Sequence, residues 1–220
     1  MKRAIIACET IKEDLEPLIN NIDYEAEVIW LDKNLHAVPQ NLNVELQKTI
    51  DRLSDCDEII LTYLLCGNAL LGIKSDNSLL RFIKGDDCIY ADLCLRDDYK
   101  DLRCSSFFLS HGWMDTDRNI LVEYQATVDK YGEKRAKHIW DVMYKNYKHL
   151  CYMELKEDDS LTKEEEERIN IMAEYANVDV IHVKGSTLMY EKLLSLEDDP
   201  GIAVIDKGHV ITFEDVKTLK

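Results

Sequence analysis

The sequence predicts an α/β protein with open, mostly parallel sheets and helices on both faces, and three observations carry that expectation. Short apolar runs and amphipathic segments alternate in the order β-α-β-α-β over residues 3–65. A second alternation of the same kind begins at residue 149. Only eight Gly and three Pro interrupt 220 residues that are 46% hydrophobic, so the chain can bury a real core and is neither disordered nor low in complexity.

Residues 3–8 read as the first strand. Thr10 and Glu13 then have capping-box spacing, and Leu15, Leu18, Ile19 and Ile22 continue at helical intervals. Residues 26–31 form the second strand, and 39–53 a helix whose apolar face is Leu42, Leu46, Ile50 and Leu53. The third strand, 58–65, ends at Cys66 and Gly67. Residues 79–83 read as a fourth strand, with a helix over 76–83 as the competing reading, and Gly85-Asp86-Asp87 turns into a short helix that begins near Cys88. Residues 106–110 make a fifth strand bounded by Gly112. From Thr116 the pattern is helical, broken at Gly132, with Ala136, Ile139, Trp140, Met143 and Tyr147 on one face. The second run follows: a strand at 149–155, a helix capped by Thr162 and Glu165, a strand at 178–183, a helix from Ser186 and a strand at 202–205. The polar stretch from Lys156 to Glu167 reads as a solvated loop and helix start. The expected division is 1–115, an N-terminal α/β lobe carrying Cys8, Cys66 and Cys88, and 116–220, a helical and α/β lobe. The pair is either two Rossmann-like lobes or one compact domain, and no residue-level repeat proves duplication.

Forty-three acidic against 27 basic residues leave a net charge of −16. That balance speaks against a nucleic-acid partner and an anionic membrane surface, since both require a basic face. The apolar run after Arg3 is shorter than a signal-peptide core and meets Glu9 at once, and no other stretch approaches the roughly 20 apolar residues of a membrane span. A cytoplasmic protein is expected. Seven cysteines without a Cys-x-x-Cys pair exclude zinc-ribbon, thioredoxin and ferredoxin spacings, so any metal site must be assembled from distant segments. The glycine-rich dinucleotide and P-loop fingerprints, the G-x-S-x-G elbow and H-E-x-x-H are also absent.

In an open parallel sheet the ligand crevice lies beyond the carboxyl ends of the strands, where strand order reverses. Cys8 closes the first strand and Cys66 the third; in a 2-1-3 order these ends lie roughly 5 Å apart. Cys88 follows the fourth strand at a helix start, where the dipole favours a thiolate. Three thiolates on one rim suit zinc, or an iron–sulfur cluster with one open position. Against this stands the habit of free cysteine to pack as a small hydrophobe, which is the reading for Cys56, Cys94, Cys104 and Cys151. His36 reaches the same rim as a fourth ligand or proton carrier, although a surface-loop histidine is the commoner case. His111 ends the fifth strand, and Trp113 with Trp30 could line a flat apolar pocket. The pairs Asp86-Asp87 and Asp97-Asp98 are better explained as helix caps than as paired catalytic acids.

The strings Ala7-Cys8, Leu35-His36-x-x-Pro39, Leu65-Cys66-Gly67-Asn68, Asp87-Cys88-Ile89, Phe108-Leu109-x-x-Gly112-Trp113 and Tyr131-Gly132-Glu133, in that order, resemble the domain of unknown function family 1638. Cys8, Cys66, Cys88 and His36 match the family pattern, whereas His111 stands where a proline is common. With the resemblance, Gly67, Asn68 and Trp113 join His36 as candidate cofactor-binding residues. The family carries no activity to transfer. It implies an anaerobe or methanogen setting close to corrinoid-dependent methyl transfer, and fold or neighbourhood analogy does not establish a site.

The leading expectation is therefore a metal centre at Cys8, Cys66 and Cys88, iron–sulfur before zinc, serving redox or accessory work in one-carbon metabolism. The alternatives are a metal-free thiol enzyme, with Cys88 or Cys66 as nucleophile and His36 as base on a small molecule, and a module that docks a corrinoid or corrinoid protein.

Overall fold

The computed structural model describes residues 1–156 and 160–218, and its chain divides into two compact units. Unit 1 comprises Met1–Asp92 with Ser186–Lys220, and unit 2 is Leu93–Gly185. The expected boundary at 115–116 lies within the span of unit 2, which begins at Leu93, and the chain returns to unit 1 after residue 185.

Unit 1 is built on strands β1 (Arg3–Cys8), β2 (Ala26–Leu31), β3 (Glu58–Leu61), β4 (Leu79–Ile83) and β8 (Ile202–Ile205), in the order β2-β1-β3-β4-β8. The first four are mutually parallel and β8 joins β4 antiparallel. Ile5, Ile6, Ile59, Ile60, Leu61 and Phe82 have no solvent exposure, as expected of strands covered on both faces. Helix α1 (Lys12–Ile19) follows β1 and contributes Leu15 and Ile19, and α2 (Pro39–Arg52) follows β2 and contributes Leu42, Leu46 and Ile50. The chain moves from β1 to β2 on one side and then to β3 on the other, so right-handed crossovers put these helices on opposite faces. Residues 79–83 are a strand rather than the competing helix, because Leu80 and Phe82 are needed beside Ile59 and Leu61.

Thr10 does not cap α1. It lies in a 3-10 turn over Glu9–Ile11 that starts directly after β1, and the cap position passes to Ile11, which makes no side-chain cap bond. At the amino ends of the strands Glu58, its side chain 4% exposed, accepts from Arg3 Nε at 2.9 Å and from Arg81 Nε at 2.8 Å. The Arg3 guanidinium also lies 4.8 Å from the Tyr24 ring centre. Burial alone would raise the Glu58 carboxyl, but the two guanidiniums outweigh it and hold the group below its ordinary range.

Unit 2 holds a parallel sheet of β5 (Ser106–Leu109), β6 (His149–Glu154) and β7 (Asp179–Lys184), with β6 central. Helices α6 (Ile120–Tyr131) and α7 (Glu133–Tyr144) meet at Gly132, as the sequence pattern predicts. Leu109, Trp140, Leu150, Tyr152, Ile169 and Met172 form the centre of its core. Helix α8 (Lys163–Ala176) has the expected reciprocal capping box of Thr162 and Glu165. Backbone and side-chain bonds from Thr162, joined by the bond from His111, hold the Glu165 carboxyl down at about 2. Part of the predicted solvated loop, residues 157–159, lies outside the described residues. No helix among the described residues is long and apolar enough to cross a membrane.

Candidate functional site

Strand β1 has β2 on one side and β3 on the other, and so marks the point at which strand order reverses. Cys8 is its last residue. Beyond the formal end of β3 the chain stays tied to β1: Thr62 N–H donates to Ile6 O at 3.1 Å, and Cys8 N–H donates to Thr62 Oγ1 at 3.3 Å. The segment continues through Tyr63 to Cys66, where the amides of Leu65 and Cys66 donate to Gly85 O and Asp86 O at 3.0 and 2.8 Å. Those carbonyls belong to the turn after β4, which leads into α3 (Cys88–Leu93). Three consecutive strand exits therefore deliver Cys8, Cys66 and Cys88 within electrostatic reach of one another.

Cys66, Gly67 and Asn68 all have left-handed backbone, with φ of +44°, +69° and +77°. Such conformations are costly for residues other than glycine and accumulate at functional loops. At Gly67 a Cβ would stand 2.8 Å from Pro39 Cγ. Glycine thus lets the cysteine loop lie directly on the start of α2, just after His36. Gly85 has no room either, since its Cβ would meet the Tyr90 ring and Leu64.

His36 sits in a 3-10 turn over Lys33–Ala37, capped by Asp32, whose carboxylate accepts from Asn34 N–H at 2.7 Å. Its ring stacks on Tyr63 with 5.9 Å between centres, and its Nε2 lies 2.9 Å from Cys8 Sγ. Burial lowers the imidazole pKa against a weaker opposing pull from Asp87, and burial raises the Cys8 thiol. Both shifts disfavour the charged forms, which runs against the thiolate–imidazolium pair of an activated nucleophile.

Cys66 and Cys88 are of intermediate exposure, yet burial is the largest influence on both thiols and pushes them up. Cys8 and Asp87 add to this at Cys66, and Asp92, Cys66, Asp87 and Cys8 add to it at Cys88. The expectation that a helix dipole favours a Cys88 thiolate is thus corrected: α3 has six residues, and desolvation with neighbouring acids dominates. Asp87 does act as a cap, its Oδ1 accepting from Tyr90 N–H at 3.2 Å. Asp98 does not cap its helix, α4 (Tyr99–Ser105), and pairs with Arg96 instead.

Cys8, His36, Cys66 and Cys88 thus belong to one neighbourhood, with Gly67 and Asn68 in the same loop. Trp113 and His111 lie in unit 2, on α5 (His111–Met114). There Trp113 packs against that unit's core and His111 Nε2 lies 2.7 Å from Glu165 Oε1. Among the other cysteines, Cys56 and Cys151 are buried, Cys94 is intermediate and Cys104 is exposed, which departs from packing for the last. Sequence reasoning missed Asp92, four residues after Cys88 and so on the same helical face, and Tyr190, which has no local signal. Among the described residues no three His, Cys, Asp or Glu side chains are gathered closely enough to hold a single metal ion.

A family model described as "Protein of unknown function (DUF1638)" matches residues 30–194, a span that includes His36, Cys66, Cys88, Asp92 and Tyr190 but begins after Cys8. No curated protein and no solved structure matches the chain.

Proposed function

The chain belongs to the DUF1638 family, and from that premise we propose that it carries a thiolate-bound metal centre, an iron–sulfur cluster before zinc, on Cys8, Cys66 and Cys88. The observation that carries this reading is the delivery of the three thiols by successive strand exits at the switch point, with His36 Nε2 already 2.9 Å from Cys8 Sγ. Soft thiol donors beside a neutral imidazole suit either metal chemistry. Burial opposes charge on every one of these thiols, a penalty that a bound cation removes and that a metal-free nucleophile would have to bear. The preference for a cluster over zinc rests on the family resemblance.

A bound cluster supplies one-electron transfer. Cys8, Cys66 and Cys88 would hold it at the strand ends, with Cys66 presented from the left-handed Cys66–Asn68 turn, which lies against Pro39 three residues after His36. The proposed role is redox or accessory work in anaerobic, corrinoid-linked methyl-group metabolism, with a corrinoid protein or a small molecule as partner. That assignment rests on the family resemblance alone. Seven free cysteines fit a reducing cytoplasm, and the net charge of −16 fits a partner other than nucleic acid.

Single Cys8→Ala, Cys66→Ala and Cys88→Ala variants, reconstituted anaerobically, are expected to lose visible absorption and bound metal together, while Cys151→Ala keeps both. Retention of full metal content by any one of the three would contradict a shared centre.

A further inference from the structure

Asp92 and Tyr190 stand out among the polar groups of unit 1. Asp92 is 2% exposed and neither of its carboxyl oxygens has a hydrogen-bond partner. Tyr190, on α9 (Leu188–Leu194), is 1% exposed and its hydroxyl is likewise unpartnered. Asp92 acts electrostatically on both Tyr190 and Cys88, and Tyr190 also feels Cys88, Cys66 and Cys8. Burial above all, and then two further acids, Asp14 on α1 and Asp87 before α3, push the Asp92 carboxyl well above its ordinary range. A buried, unpaired carboxyl among acids is a costly arrangement that packing does not explain.

We propose that Asp92 and Tyr190 receive the N–H-bearing cationic group of a small organic molecule, which seats that molecule beside the cysteines. All three oxygens lack partners; a cation arriving there lets Asp92 ionise and accept with both oxygens, the Tyr190 hydroxyl offers a third acceptor, and the surrounding acids favour positive charge. A hard metal ion is the poorer occupant. It requires six or more oxygen ligands, and no three acidic, His or Cys side chains among the described residues are gathered about one point. A primary ammonium instead brings three donors on one compact charge, matching the acceptors present.

The inference adds a ligand class to the neighbourhood of the proposed centre but rests on its own residues. The test is calorimetric titration of the anaerobically purified full chain with ammonium and ethylammonium chloride, and with potassium and tetramethylammonium chloride at matched ionic strength. The wild type should bind the first two, and should bind the last two, which lack N–H donors, at least about tenfold more weakly. Asp92→Asn should weaken ethylammonium binding about tenfold or more, and Tyr190→Phe severalfold. Asp92→Leu should abolish binding and melt about 2 °C or more above the wild type, since apolar atoms replace an unpaired buried acid. Cys8→Ala should bind ethylammonium as the wild type does even after losing its metal, so the two readings fail separately. The proposal is overturned by absence of ammonium and ethylammonium binding, by equal binding of potassium, by an Asp92→Asn variant that binds undiminished, or by an Asp92→Leu variant that melts below the wild type.

Discussion

Glu58→Ala is expected to destabilise the protein by about 3–5 kcal/mol, the cost of stranding charges in a buried ion pair. Glu58 opens β3, lies opposite Arg3 in the register with β1, and takes a second guanidinium from Arg81 on β4. Removing it leaves Arg3 and Arg81, with side chains 19% and 14% exposed, facing one another without a counter-charge. The sign of the pH dependence follows from the lowered carboxyl. A group whose native value lies below its unfolded value of about 4.5 contributes stability that is complete above that value and is lost as the pH falls through the native one. Urea unfolding across pH 3 to 7 should therefore show a steeper acid loss in the wild type than in Glu58→Gln. Equal slopes, or an alanine variant within about 1 kcal/mol of wild type, would mean that the triad contributes little. The triad sits at the end of the strands opposite the cysteines, so metal content per folded molecule should not change.

Cys66→Gly is expected to abolish metal binding while changing the unfolding free energy by no more than about 1 kcal/mol. A side chain at φ +44° carries a conformational penalty on the order of 1 kcal/mol, which glycine removes. The loss of packing by a partly buried thiol is of similar size and opposite sign. Cys66 in that case is retained for its sulfur and not for the fold. Destabilisation beyond about 2 kcal/mol with metal binding intact would reassign Cys66 as a packing residue.

The order of strands and helices in unit 1 was readable because each apolar run sits at the spacing its element needs, from Ile5 and Ile6 in β1 to Leu42, Leu46 and Ile50 in α2. The partner of β8 was not readable. Ile202–Ile205 shows that a strand exists, but nothing local distinguishes pairing with β4 from pairing with β7. That long-range choice is what makes unit 1 discontinuous. Capping chemistry divided likewise. Thr162 has an extended cap conformation ahead of α8, whereas Thr10 has none, because the 3-10 turn follows β1 without a spacer. At the site, the rim positions of Cys8 and Cys66 followed from strand ends alone. The environment of Cys88 did not, since the acids and desolvation that set its thiol are tertiary. Only its spacing from Cys88 marks Asp92 in the sequence, and its burial, like that of Tyr190 98 positions away, is a product of tertiary packing.

The central claim is a metal centre shared by Cys8, Cys66 and Cys88. Its most direct test is iron, zinc and acid-labile sulfide analysis of the protein purified strictly without oxygen, in parallel with the triple Cys8/Cys66/Cys88→Ala variant. Iron and sulfide are expected in comparable amounts in the wild type and neither in the folded variant. A colourless wild-type protein that takes up no metal even after reconstitution with iron and sulfide, or a triple variant that retains its metal, would contradict it.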